Sequence, residues 1–198
     1  MTITPSRTAV FVVHLQRDIV GADGAFAGFF RAQVEEREVL AKVRQLTDAA
    51  HDAGVLVIWA RVAWQPDYSD LHANSALLQA VIGAQCLQEG SAGAELVEDA
   101  DVREGDVVHT HQRIGGLTPT LERQLRARDI DTVLVCGVAT NASVEGTARQ
   151  FSDAGFRTLV VDEACSAASP EAHQASMESL ALVAGAIGLS EAVGDLSA

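Results

Sequence analysis

Along the chain, short apolar runs alternate with longer amphipathic segments. Residues 8–15, 55–60, 106–110, 131–136 and 157–162 are strand-length runs rich in β-branched residues, and 181–187 is a last apolar run. Runs that are apolar throughout, rather than at every second position, predict strands covered on both faces, as in a parallel sheet. Between them lie helical patterns. In 31–53, Val34, Val39, Val43 and Leu46 recur near helical spacing and Gly54 supplies a stop. Residues 119–128 open with Pro119, 144–151 place Val144, Ala148 and Phe151 on one stripe, and 170–180 and 190–196 complete the series. Strand and helix in strict alternation mean βαβ units with right-handed crossovers. The expectation is one α/β domain over 1–198: three layers, with a mostly parallel six-stranded sheet flanked by helices. Residues 70–104 interrupt the rhythm as a lower-order excursion with a helical patch at 75–82 and a Gly/Ser-rich turn at 90–93.

In such a sheet, ligands collect at the carboxyl ends of the strands. The stretch 137–149, Gly-Val-Ala-Thr-Asn-Ala-Ser-Val-Glu-Gly-Thr-Ala-Arg, is the sharpest strand-to-helix turn, with Gly137 free to take unusual backbone angles and Thr140 or Asn141 as N-cap. A side chain on that first turn, such as Ser143, sits beside unpaired N–H groups and the positive end of a helix. Phe26, Phe29 and Phe30 after the first strand, and Trp64 after the second, suit a pocket wall or a subunit contact; ordinary packing also accounts for them.

Composition narrows the picture. The chain has 198 residues, with 14 basic against 27 acidic, for a net charge of −13. That argues against nucleic acid or an anionic membrane as a partner. Three cysteines, Cys86, Cys136 and Cys165, lack metal-like spacing and read as buried free thiols of a reducing compartment. The N-terminal residues lack the layout of a signal peptide and no apolar run reaches membrane-spanning length, so a soluble cytoplasmic protein is expected. Lys42 is the only lysine.

Three segments carry a family resemblance: Gly137-Val138-Ala139-Thr140-Asn141 with Thr147-Ala148-Arg149; residues 155–164; and residues 57–66. From about residue 8 to residue 196 the chain resembles the isochorismatase-like (cysteine hydrolase) superfamily. The resemblance implies that α/β fold, hydrolysis of a small amide-like substrate, and a homodimer or homotetramer; no cofactor is expected. It also implies a catalytic aspartate after strand one, a lysine after strand three, a cysteine on the elbow and a cis peptide before it. Carried over, the aspartate falls on His14 with Gln16 retained, the cysteine on Ser143, and the cis bond on Val138–Ala139. The lysine falls on Thr110 without a gap, or on His111 with one deletion, which also puts Arg113 and Leu117 at the family's basic and aromatic positions. All three triad positions are thus substituted, and Lys42 lies too far along the chain to stand in.

What remains supports two readings. Ser143 with His14 or His111 as base would make a serine-based hydrolase, with Gln16, Phe26, Trp64, Thr110, Arg113, Val138 and Ala139 lining the substrate site. Alternatively Ser143 is a helix-start residue, the histidines line a pocket, and the protein is a catalytically silent relative serving ligand binding or oligomeric assembly. His109 and His111 share a strand face, so a three-histidine metal site with His14 is conceivable; isolated histidines are the commoner outcome, and no metal is expected. Arg61 and Arg113 could hold an anionic substrate or simply pair with surface acids.

Overall fold

The computed structural model describes residues 3–197. Six parallel strands run in the order β3-β2-β1-β4-β5-β6: β1 (Thr8–Val13), β2 (Leu56–Val62), β3 (Val107–His111), β4 (Thr132–Val138), β5 (Arg157–Ser166) and β6 (Gly185–Ile187). The central strands β1 and β4 are buried along their whole length, which is why their sequences show no alternation. Phe11, Trp59, Leu134 and Phe151 are among the largest side chains sealed in the core.

Helices cover both faces. On one, α3 (Val39–Asp52) lies across β1, β2, β4 and β5 and packs on α8 (Leu189–Leu196); α2 (Ala27–Glu36) continues this layer. On the other, α6 (Glu145–Asp153) and α7 (Pro170–Leu180) pack together against β4 and β5. A short α1 (Arg17–Val20) follows β1, α4 (Ala76–Ala84) lies in the 70–104 excursion, and α5 (Pro119–Arg126) precedes β4. None of the described helices is long and apolar enough to cross a membrane.

Several boundaries differ from those read off the pattern. The single helix expected over 31–53 is two, broken at Arg37 and Glu38, where Glu38 takes a left-handed conformation (φ 53°). Tertiary bonds account for the break. The Arg37 guanidinium reaches the carbonyls of Cys165 and Asp162 and the Asp162 carboxylate, tying the corner to β5. The segment after the first strand that carries Phe26, Phe29 and Phe30 becomes helical from Ala27, so Phe29 and Phe30 ride on α2. Only Gly185–Ile187 of the last apolar run pairs as a strand, whereas β5 extends to Ser166 through an irregularity opposite Gly137.

The excursion is a clamp. Gln16 and Trp64 each form an isolated bridge with it, to Leu96 and Gln88. Arg61, almost fully buried, donates to Glu89, to Glu95 (2.7 Å) and to Thr110 Oγ1 (2.8 Å). These bonds seat α4 over the carboxyl ends of the strands.

Candidate functional site

Beyond the last residue of β1 the chain turns abruptly: His14 has φ 51°, and its N–H still bonds the Ala60 carbonyl at 3.0 Å. This turn sends the imidazole along the sheet toward β3, whose final residue is His111. The two Nε2 atoms lie 3.0 Å apart, with the rings stacked at 5.0 Å between centroids. His109, two residues back on β3, stacks on His111 in turn (5.7 Å) and its Nε2 donates to the Gly116 carbonyl at 3.0 Å. Thr110 points to the opposite face and accepts from Arg61, so His111 is the strand-three residue that meets His14.

Hydrogen bonding fixes the protons on this pair. The Arg113 amide donates to His111 Nδ1 at 3.4 Å, so a neutral His111 carries its proton on Nε2 and gives it to His14 Nε2. A neutral His14 then carries its own proton on Nδ1. Both rings are held neutral. Burial first, and the neighbouring His111 second, hold His14 well below the ordinary imidazole range. Burial, aided by His109, pushes His111 down to about 3. Among the described residues, neither ring bonds a carboxylate.

Opposite them lies the elbow after β4. Val138–Ala139 is a cis peptide, followed by a π-helical turn at Thr140–Val144 that leads into α6. No side-chain cap closes this turn, although Thr140 or Asn141 was expected to provide one. Thr140 is instead consumed by a network that the sequence did not advertise. Its hydroxyl bonds His173 Nδ1 (2.8 Å), and His173 Nε2 bonds the Asp162 carboxylate (2.9 Å), which also accepts from Arg37 (3.0 Å). Ser176 Oγ lies 3.1 Å from the Thr140 carbonyl and 2.6 Å from Glu145. Polar residues from the α2–α3 corner, β5 and α7 thus hold the elbow from behind. A histidine at position 173, on a helix remote in sequence, carried no motif to reveal it.

Between imidazole pair and elbow opens a cavity of about 310 Å³. His14, Val138, Ala139 and Ser143 form its floor, Phe26 and Trp64 are in its walls, and Arg113 is an exposed lining residue. Its outer wall comes from α4 and the segment after it, through Leu77, Leu78, Val81 and Leu87. Ser143 is 7% exposed, and no hydrogen bond from its hydroxyl to either imidazole is recorded among the described residues. Gln16 is not part of the wall. Its amide is fully engaged with Val62 and the Ala94 carbonyl, where it fastens the excursion to the sheet. The three histidines form a stacked column; among the described residues, no group of three or more potential ligands could hold a metal ion.

Comparisons with known proteins agree with this architecture. A family model described as the Isochorismatase domain matches residues 8–192. The chain is 30% identical over 191 residues to the ureidoacrylate amidohydrolase RutB of Acinetobacter baylyi, covering 88% of this chain and 77% of that one. It is 32% identical to the uncharacterized isochorismatase family protein YecD of Escherichia coli O157:H7, covering 89% of each. Among solved structures, a cysteine hydrolase from Pseudomonas syringae pv. phaseolicola superposes with a TM-score of 0.89 at 25% identity, covering 99% of this chain and 95% of that one. N-carbamoylsarcosine amidase from Thermoplasma acidophilum shares the fold, with a TM-score of 0.74 at 20% identity over 92% and 96% of the two chains.

Proposed function

This chain belongs to the isochorismatase family, and we propose that it binds a small molecule in the strand-end cavity without the charged activation of a cysteine hydrolase. In this reading His14, His111 and Ser143 stand where the resemblance put aspartate, lysine and cysteine. The observation that carries it is the state of the imidazole pair beside an open cavity. His14 Nε2 is occupied by the proton of His111, and Nδ1 already bears one, so the resting ring has no lone pair to offer a hydroxyl. Freeing Nδ1 requires the opposite tautomer of both rings, which sets a proton on His111 Nδ1 against the Arg113 N–H. Accepting a proton from serine would also leave a buried imidazolium with no carboxylate to steady it. The pair is built to donate a hydrogen bond, not to withdraw a proton.

Serine hydrolysis is the second reading, favoured by the placement of Ser143 and His14 in the lining of one cavity. One measurement separates the two: labelling with a serine-reactive fluorophosphonate, followed by peptide mass spectrometry, on the native chain and on Ser143→Ala and His14→Ala variants. The binding reading expects no adduct at Ser143. A stoichiometric adduct on Ser143 that vanishes in His14→Ala would overturn it in favour of the hydrolase.

A further inference from the structure

We propose that the cavity takes a small carboxylate with an apolar body, the carboxylate pairing with Arg113 at the rim. This rests on the binding reading above and names its ligand class.

The polar groups of the wall decide the sign. Although 27 of 198 residues are acidic, no aspartate or glutamate lines the cavity. Arg113 is its only lining residue with a permanent charge. The other polar groups can all donate: the proton-bearing His14 ring, the Ser143 hydroxyl and the Asn141 amide. A wall of donors and one cation accepts an acceptor-rich anion and disfavours a cation. Between these groups the lining is aliphatic or aromatic, which sets the apolar body.

Arg113 is also poised for a ligand. Elsewhere the guanidinium groups that meet the protein's buried surface are spoken for: Arg37 holds Asp162, Arg61 holds Glu89 and Glu95, and Arg149 holds Glu145. Arg113 holds no carboxylate among the described residues, and its one recorded side-chain bond is to the neighbouring Gln112 carbonyl at 2.9 Å. In a chain of net charge −13, a rim cation without an acidic partner is where a small anion is least opposed. A planar guanidinium matches carboxylate geometry in a way that a lysine would not.

The test uses matched acid and primary-amide pairs of benzoic, phenylacetic and 3-phenylpropanoic acid. Each is titrated by calorimetry into the full chain and into Arg113→Gln and Arg123→Gln variants. Arg113→Gln keeps the backbone N–H that orients His111, so it removes the charge alone; Arg123 lies on α5 and does not line the cavity. At least one acid is expected to bind about tenfold tighter than its amide. That preference should fall to within about twofold in Arg113→Gln, survive in Arg123→Gln, and weaken as salt is raised. Amides that bind as well as acids, or a preference that persists in Arg113→Gln, would overturn the carboxylate assignment while leaving a binding cavity in place. Failure of every acid and every amide to bind would remove the binding reading itself, and the assignment with it.

Discussion

His14 and His111 each have two ring nitrogens and, when neutral, one proton, so a single outside donor settles where all of them lie. The Arg113 amide is that donor. The arrangement has a cost that depends on pH. Both rings have folded-state pKa values depressed below the unfolded value of about 6.5. Above that pH, both states are neutral and nothing is lost. As pH falls through 6.5 the unfolded chain takes up protons that the folded chain refuses, so stability declines toward about pH 3. For His111 alone the slope is about 1.4 kcal/mol per pH unit, or about 2 kcal/mol between pH 6.5 and 5. Urea midpoints at pH 7.5 and pH 5 should show this fall, and His111→Gln should flatten it whatever it does to absolute stability. An unaltered slope in that variant would show that His111 is not a source of it.

At the scale of elements, the elbow depends on close approach of β4 to β1. Gly137 has φ 113°, and a Cβ there would meet the Val13 carbonyl oxygen at 2.2 Å. Both atoms belong to paired central strands, so neither can move without disturbing the sheet. Gly137→Ala should therefore cost at least about 3 kcal/mol, by strain and clash together, read as a large drop in thermal midpoint or loss of soluble protein. The strands, the elbow and its glycine were legible in the sequence because each has a local signature: an apolar run, a turn residue, a periodic stripe. The break at Arg37 and Glu38 was not, since the helical pattern runs through it and the deciding bonds go to β5, more than 120 residues away. The same holds for the site. Ser143, His14 and His111 could be placed from strand ends, but no spacing could show that His111 spends its proton on His14. Nor could it show that Gln16 faces the clamp rather than the cavity.

The whole molecule buries all three cysteines, and burial pushes Cys86 and Cys165 up to about 12 and Cys136 well above the ordinary thiol range. None should react with an aromatic disulfide reagent at pH 8 in the native state, and three per chain should react in guanidinium chloride. A thiol that titrates quickly without denaturant would mean that the core or the excursion opens locally at low cost. The strand order adds a consequence of a different kind. The chain builds β1, β2 and β3 outward to one edge, then returns to lay β4 beside β1 and builds β5 and β6 toward the other. The cavity straddles that return, with His14 and Trp64 from the first half facing Asn141 and Ser143 from the second. An occupant is therefore a removable staple between the two halves of the polypeptide. Neither half can come apart without first letting go of it, so the cohesion of the sheet at its central seam rises with the free ligand concentration L as RT ln(1 + L/Kd).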